Sequence, residues 1–291
     1  MNTSIDPKQK AAFVLVHGAW HSGGCWDKLI KELSNDGYAA VAIDLPGAGN
    51  NAKFPASFHD RPLNPGVFAT EASPNAGVNQ QQRTDAIITA VEQAESLGNG
   101  QVILVGHSLG GVTLSPVCEA VFDKIASVIY ISGFMLPSGM PAVAMIQNEI
   151  MSSSLVRTLL LADPEKTGAM RLDPNSEDPV YIDRMRQAFY GDLTEDDFSD
   201  VRGKLHCDEP ASVFVQPSAI TKEAYGQVDR HYIRCAEDRV IPLAGADFMI
   251  TSVDKEMENK TSVHTLQASH SPFYSQTEEL AKILIGISAS E

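Results

Sequence analysis

The residues from Gln101 to Gly111 read Q-V-I-L-V-G-H-S-L-G-G, an apolar run that ends in G-x-S-x-G. Where such a motif joins a strand to a helix, the turn is tight and strained, so small residues must flank the serine. Gly106 and Gly110 supply them, and Gly111 permits close packing of helix on strand. The strain lifts Ser108 above the sheet, with its hydroxyl at a helix N-terminus where positive dipole gathers. A serine hydroxyl is a weak nucleophile until a base takes its proton. Four histidines follow Ser108: His206, His231, His264 and His270. His206 falls in a long segment between strands, and His231 and His264 fall within strand-like runs. His270 stands in A-S-H-S-P-F-Y-S, between the last apolar run and the last helical pattern. That is the C-terminal end of a strand, where parallel sheets place their sites, so His270 is the expected base.

The carboxylate that orients the base should follow the preceding strand. C-A-E-D-R-V-I-P offers Glu237 and Asp238. The spacing of Asp238 to Pro242 suits a strand-to-helix turn and favours it, and Glu237 stays open as a one-residue alternative. An oxyanion needs two backbone N–H groups aimed at it. Leu109, directly after the serine, gives one. The turn His17–Trp20 should give the other, with Ala19 the expected donor and Trp20 the alternative. His17 and His107 are expected to hold these turns by hydrogen bonds. Trp20 is expected in a pocket wall and Trp26 in the core.

These side chains need a scaffold that brings strand ends to one edge. Apolar runs at Ala12–Val16, Ala39–Ile43, Val102–Val105, Ser127–Ile131, His231–Cys235 and Val263–Leu266 read as strands, several apolar on both faces as buried parallel strands are. Helical patterns alternate with them at Asp27–Leu33, Asp85–Leu97, Val112–Phe122, Ala244–Thr251 and Thr277–Ile287. The rhythm predicts an α/β fold with a doubly wound, mainly parallel sheet of about six strands. Two segments interrupt it. Asn50–Gln82 holds Pro55, Pro62, Pro65 and Pro74 and reads as a long irregular loop. It leaves the C-terminal end of a strand, so it should form an ordered rim at the pocket mouth or a subunit contact, with Phe54, Phe58 and Phe68 facing substrate or partner. The second, 134–228, carries helical stretches at Val143–Leu161, Tyr181–Tyr190 and Glu195–Val201 and is expected to form a helical cap. The core would then comprise 1–133 and 229–291.

The chain has 291 residues, 43% of them hydrophobic, enough for one substantial core. A formal net charge of −15 makes nucleic acid and anionic membrane surfaces poor partners. Cys25, Cys118, Cys207 and Cys235 show neither a C-x-x-C pair nor metal-ligand spacing, so no disulfide scaffold and no metal are expected. Lys8 and Lys10 precede the run Ala11–Val16, which is too short for a signal peptide, and no stretch reaches membrane-spanning length. The expected setting is the cytoplasm.

F-V-L-V-H-G-A-W-H-S-G-G-C-W, D-L-P-G-A-G, G-H-S-L-G-G, C-A-E-D-R-V-I-P and S-H-S-P-F-Y-S resemble the hydroxynitrile lyase and plant methylesterase branch of the α/β-hydrolases. The similarity is closest to bacterial salicylate-esterase-like and pyrethroid-hydrolase-like carboxylesterases, which A-F-Y-G-D at Ala188–Asp192 also resembles. It runs from Phe13 to about Ile287. It implies the α/β-hydrolase fold with the cap inserted after the sixth canonical strand of that fold, no cofactor, and a homodimer. Hydroxynitrile lyases of this type carry Thr where Gly18 stands and Lys where Ser271 stands, and that Lys stabilises departing cyanide. Its absence points to the esterase arm.

The expected reaction is acyl transfer from a small-molecule ester to water. Ser108 attacks, His270 moves the proton, Asp238 holds the imidazole, and Ala19 and Leu109 hold the oxyanion. Trp20, Phe134, Met135, Leu136, Met145, Leu155, Leu159 and Phe189 are the expected pocket walls, suited to an apolar or aromatic ester. The rival readings are the same triad in cyanohydrin cleavage or cofactor-free dioxygenation, and a small-molecule receptor without catalysis.

Overall fold

A computed structural model describes residues 10–289; Lys8, with residues 1–9 and 290–291 of the expected core, lies outside the described residues. Six strands form one sheet in the order β2-β1-β3-β4-β7-β8: β1 Ala12–Val16, β2 Ala40–Ile43, β3 Val102–His107, β4 Ile125–Ile131, β7 Asp229–Cys235 and β8 Ser262–Leu266. Every neighbouring pair is parallel. The strands thus stand where the apolar runs predict them, and the architecture is that of an α/β-hydrolase. In β1 and β3 every residue is buried, as expected when both faces are covered. Alternation divides their side chains. Val14, Val16, Leu104, Val128 and Tyr130 enter one core cluster, while Phe13, Leu15, Ile103, Val105, Ile129 and Ile131 enter another on the opposite face. Trp26 lies fully buried in the second cluster, as expected of a core residue. All four cysteines are free and buried, and no helix among the described residues is long and apolar enough to cross a membrane.

The segment 134–228 departs from its expected form. Val143–Leu161 is not one helix. It breaks into a helix Ala142–Gln147 and 3-10 turns at Glu149–Met151 and Val156–Leu159. The Asn148 side chain accepts from the N–H of Ile150 and starts a new turn. Ser154 and Leu155 then donate to the carbonyls of Val240 and Arg239, tying this stretch to the loop after β7. The helices Pro179–Phe189 and Glu195–Arg202 form close to expectation, capped by Asp178 and Thr194. A two-stranded antiparallel sheet, β5 Ala169–Arg171 with β6 Asp208–Pro210, has no counterpart in the predicted elements. Three-residue strands are too short to show alternation.

The Asn50–Gln82 segment is also more regular than an irregular loop. It contains helical turns at Gly49–Asn51, Ala56–His59 and Pro65–Phe68. The following helix, Gln80–Glu95, starts before the expected Asp85 because Asn79 and Gln82 form a capping box. Phe58 and Phe68 are not exposed at a rim as expected. They are buried with Cys207, Leu63 and Leu161, and the exposed Phe54 stacks on Phe58 at 5.2 Å. The insertion is therefore packed onto the 134–228 segment. Arg171 fastens the two. Fully buried, it holds Asp208 through bonds of 2.6 and 2.7 Å and donates to the carbonyls of Phe68 and Glu71.

Removing one partner of a buried ion pair leaves the other charge uncompensated, at a cost of about 3–5 kcal/mol. Arg171→Met should lower stability by about that amount in urea denaturation. It should also raise amide hydrogen exchange across 56–71, and an unchanged midpoint with unchanged exchange would contradict this role.

Candidate active site

β3 ends at His107 and a helical turn begins at Ser108. Ser108 has φ 50°, the left-handed conformation that a strained elbow requires of its central residue. A Cβ at position 110 would stand 2.6 Å from the His17 carbonyl oxygen, so only glycine fits there. The first turn after β1 passes equally close: a Cβ on Gly18 would stand 2.8 Å from Ser108 Cβ and 2.7 Å from His107 Nδ1. Phe134 donates its N–H to the Ser108 carbonyl at 2.9 Å, which seats the start of the 134–228 segment on the elbow.

Asp238 and His270 meet at the ends of β7 and β8. His270 Nδ1 donates to Asp238 Oδ2 at 2.8 Å, and both side chains are buried. The other oxygen, Oδ1, accepts from the N–H groups of Val240 and Ile241 at 2.6 and 2.9 Å. Three donors thus fix the carboxylate, and its bond to Nδ1 leaves Nε2 as the acceptor nitrogen. Among the described residues Glu237 is exposed and its side chain makes no such bond, while its backbone N–H donates to the Ala268 carbonyl. His107 Nε2 donates to the His270 carbonyl at 2.8 Å and so links elbow and histidine loop. Among the described residues, Ser108 Oγ and His270 Nε2 have no hydrogen-bond partner. Catalytic hydrogen bonds often tighten only once substrate is bound.

The turn after β1 is held in detail. His17 Nδ1 donates to the Gly18 carbonyl at 2.8 Å, and its Nε2 accepts from Leu45 N–H at 3.2 Å. His21 Nδ1 donates to the Ala19 carbonyl at 2.8 Å, and its Nε2 accepts from Tyr190 O–H at 2.8 Å. Burial lowers the His17 pKa to about 3 and that of His21 to about 4, and drives that of His107 well below the usual histidine range. His17 and His21 thus each donate from one ring nitrogen and accept at the other, while His107 donates from Nε2 and its buried Nδ1 has no partner among the described residues. The expectation that His17 and His107 brace these turns agrees with these bonds. Trp20 N–H donates to Glu209 Oε2 at 3.0 Å and is thereby spent. Ala19 N–H has no acceptor among the described residues, and Leu109 N–H lies in a first helical turn, where N–H groups lack intrahelical partners.

The predicted wall residues separate into two groups. Trp20 and Phe189 pack with ring centroids 5.7 Å apart, Phe189 lies 6.3 Å from the His270 ring, and Phe134 bonds the elbow. Met135, Leu136, Met145 and Leu159 are buried in the same large core cluster, and Leu155 is packed against it. Sequence reasoning missed five residues that brace the site: Arg83, His21, Tyr190, Asp192 and Glu209. Asp192 accepts from Ser269 N–H at 2.9 Å and from the hydroxyls of Ser269 and Ser275, next to His270. His21, adjacent to H-G-A-W, and Tyr190 and Asp192, within A-F-Y-G-D, stood in motifs already singled out, whereas Arg83 and Glu209 carried no local signal. Among the described residues no group of three or more His, Cys, Asp or Glu side chains could hold a metal ion.

Comparison with known proteins places this geometry in context. The sequence model of the alpha/beta hydrolase family matches residues 13–283. A putative chloroplastic methylesterase 11 of Arabidopsis thaliana is 26% identical over 97% of this chain, which spans 65% of that protein's length. The pyrethroid hydrolase of Sphingobium wenxiniae is 26% identical over 93% of the chain and 85% of its own length. Polyneuridine aldehyde esterase of Rauvolfia serpentina is 27% identical over the full length of both. The solved structure of a pyrethroid hydrolase from Sphingobium faniae JZ-2 superposes with a TM-score of 0.73 at 23% identity, covering 96% of this chain and 97% of that one.

The neutral histidines carry a pH signature. Unfolded histidine takes up a proton near pH 6.5, whereas folded His21 resists until about pH 4. Between those values the unfolded state binds more protons. Stability is therefore complete above about pH 6.5 and falls as the pH drops toward 4, by up to about 1.4 kcal/mol per pH unit for each such histidine. Urea denaturation at stepped pH should show a shallower loss for His21→Gln than for wild type across that window. Identical slopes would contradict it.

Proposed function

Because this chain belongs to the alpha/beta hydrolase family, we propose that it is a carboxylesterase-type serine hydrolase that cleaves a small apolar or aromatic ester through an acyl-enzyme. Ser108 Oγ attacks the ester carbonyl carbon as His270 Nε2 takes its proton. Asp238 keeps the proton on Nδ1 and stabilises the imidazolium. The N–H groups of Ala19 and Leu109 receive the charge that forms on the carbonyl oxygen. His270 then protonates the departing alkoxide and afterwards takes a proton from water, which attacks the acyl-enzyme. The observation that carries this reading is the buried Asp238–His270 pair, with Nε2 left without a partner among the described residues, in a loop bonded by His107, the residue directly before a serine held at φ 50°. Trp20, Phe134 and Phe189 supply apolar surface next to it. The esterase names of the methylesterase and polyneuridine aldehyde esterase relatives support the same class.

Cyanohydrin cleavage fits this site poorly. Position 271 is Ser, not the Lys of the lyase pattern. The Thr of that pattern has no room at position 18, where even a Cβ would crowd Ser108 and His107. A receptor without catalysis would have no use for three donors converging on Asp238.

Ser108→Ala should cost on the order of 10⁴ to 10⁶ in kcat toward p-nitrophenyl acetate, with the circular dichroism spectrum unchanged. A folded variant that keeps a tenth of wild-type activity would remove Ser108 from the mechanism. Asp238→Asn should lose on the order of 10² to 10⁴, far more than Glu237→Gln, because only the triad carboxylate sets the imidazole tautomer. The opposite ranking would transfer that role to Glu237.

A further inference from the structure

The peptide between Ala19 and Trp20 is gripped at both ends. Its carbonyl accepts from His21 Nδ1 at 2.8 Å, and its N–H donates to Glu209 Oε2 at 3.0 Å. Glu209 lies on β6, far from Trp20 in sequence, and its side chain is only 1% exposed. Its other oxygen, Oε1, accepts from Arg83 Nη1 at 2.5 Å, and Arg83 is 2% exposed. The remaining guanidinium donors, Nε and Nη2, bond the Pro46 carbonyl at 3.2 and 3.1 Å. His21 is in turn held by Tyr190 O–H. Trp20 sits at φ 60°, a conformation in which a bulky side chain is unusual and which persists only where surroundings enforce it. Rotation of the Ala19–Trp20 peptide would release that strain. The Ala19 N–H belongs to the preceding peptide and projects from next to the same Ala19 Cα, so holding this peptide also fixes the point from which that N–H is aimed, and both hydrogen bonds oppose its displacement.

We propose that Glu209 is a positioning residue for the reaction: its carboxylate holds the Ala19–Trp20 peptide so that Ala19 N–H points at the developing oxyanion, while Arg83 neutralises a charge that would otherwise repel it. This rests on the esterase function of Ser108. Glu209 touches no reacting atom. Its effect belongs to the transition state, because the ground-state ester carbonyl carries less charge than the tetrahedral intermediate. The 134–228 segment thus contributes to turnover through the backbone of the core.

Two double variants isolate the bond to Trp20 N–H. Arg83→Met/Glu209→Gln removes both charges and keeps an acceptor oxygen; Arg83→Met/Glu209→Met removes both charges and the acceptor. At equal folded fraction, the Met/Met variant should show kcat about 10- to 100-fold below the Met/Gln variant. KM should differ by less than about threefold, since substrate binding uses the oxyanion donors less than the transition state does. Affinity for a trifluoromethyl ketone of matching acyl group, which forms a hemiketal oxyanion on serine, should fall with kcat. Equal kcat in the two doubles, or a change confined to KM, would overturn the proposal. If either double does not fold, Tyr190→Phe serves in its place, releasing the other end of the clamp through His21. A loss of about threefold or more in kcat at constant KM supports the proposal, and unchanged kcat overturns it. Wild type and Ser108→Ala run alongside. Hydrolysis that does not depend on Ser108 removes the esterase reading and this proposal together. Ser108-dependent hydrolysis with indistinguishable doubles removes this proposal alone.

Discussion

Ser108 at φ 50° and Trp20 at φ 60° are two non-glycine residues in left-handed backbone, in turns separated only by Gly18. Each conformation costs roughly 1–3 kcal/mol and lasts only where neighbouring groups over-determine it. Nearly everything else near the site supplies that determination. The Phe134 N–H holds the Ser108 carbonyl, His107 holds the His270 carbonyl, and His17 and His21 hold the carbonyls of Gly18 and Ala19. The approach between the two turns is so close that a side chain at position 18 or 110 would push them apart. The local geometry of the site is thus a property of backbone held by buried hydrogen bonds.

The paired bonds of His17 and His21 depend on imidazoles that stay neutral. A protonated imidazole has no acceptor nitrogen, so it could not both donate to a carbonyl and accept from Leu45 N–H or Tyr190 O–H. Burial excludes the charged form of His17, His21 and His107 and thereby preserves the bonding pattern. The catalytic assignment of His270 rests on a contrast with them. It is the one member of this cluster paired with a carboxylate, Asp238, through Nδ1, with Nε2 left open.

Two buried ion pairs tie the 134–228 segment into the fold, Arg171–Asp208 within it, from which Arg171 also bonds the Phe68 and Glu71 carbonyls, and Arg83–Glu209 across to the helix Gln80–Glu95. Arg171–Asp208 carries the Asn50–Gln82 insertion, and Arg83–Glu209 reaches the turn after β1. Asp208 and Glu209 are adjacent on β6, and successive strand residues point to opposite sides. One short strand therefore serves both. Desolvation offsets much of the attraction in such pairs, so their contribution lies less in net stability than in specifying one arrangement. Apolar residues of similar size could cover the sheet as well, but they would leave Trp20 N–H without its acceptor.

The amino-acid sequence alone determined the frame and the places along it of the residues in the proposed site. G-H-S-L-G-G, the runs of Val and Ile, and the positions of Asp238 and His270 after their strands are local patterns, and strand-turn-helix geometry follows from local sterics. The preference for Asp238 over Glu237 was legible from its spacing to Pro242. The roles of four braces were not: Arg83, Tyr190, Asp192 and Glu209 act on groups far along the chain, and although Tyr190 and Asp192 stand in the A-F-Y-G-D stretch, nothing in it names the groups they bond. The break in Val143–Leu161, the sheet of β5 and β6, and the inward packing of Phe58 and Phe68 were equally hidden. Apolar periodicity states that a face is buried and leaves open what buries it. Which carboxylate takes which N–H is settled only when the packed chain excludes water and each buried polar group must find a partner within about 3 Å.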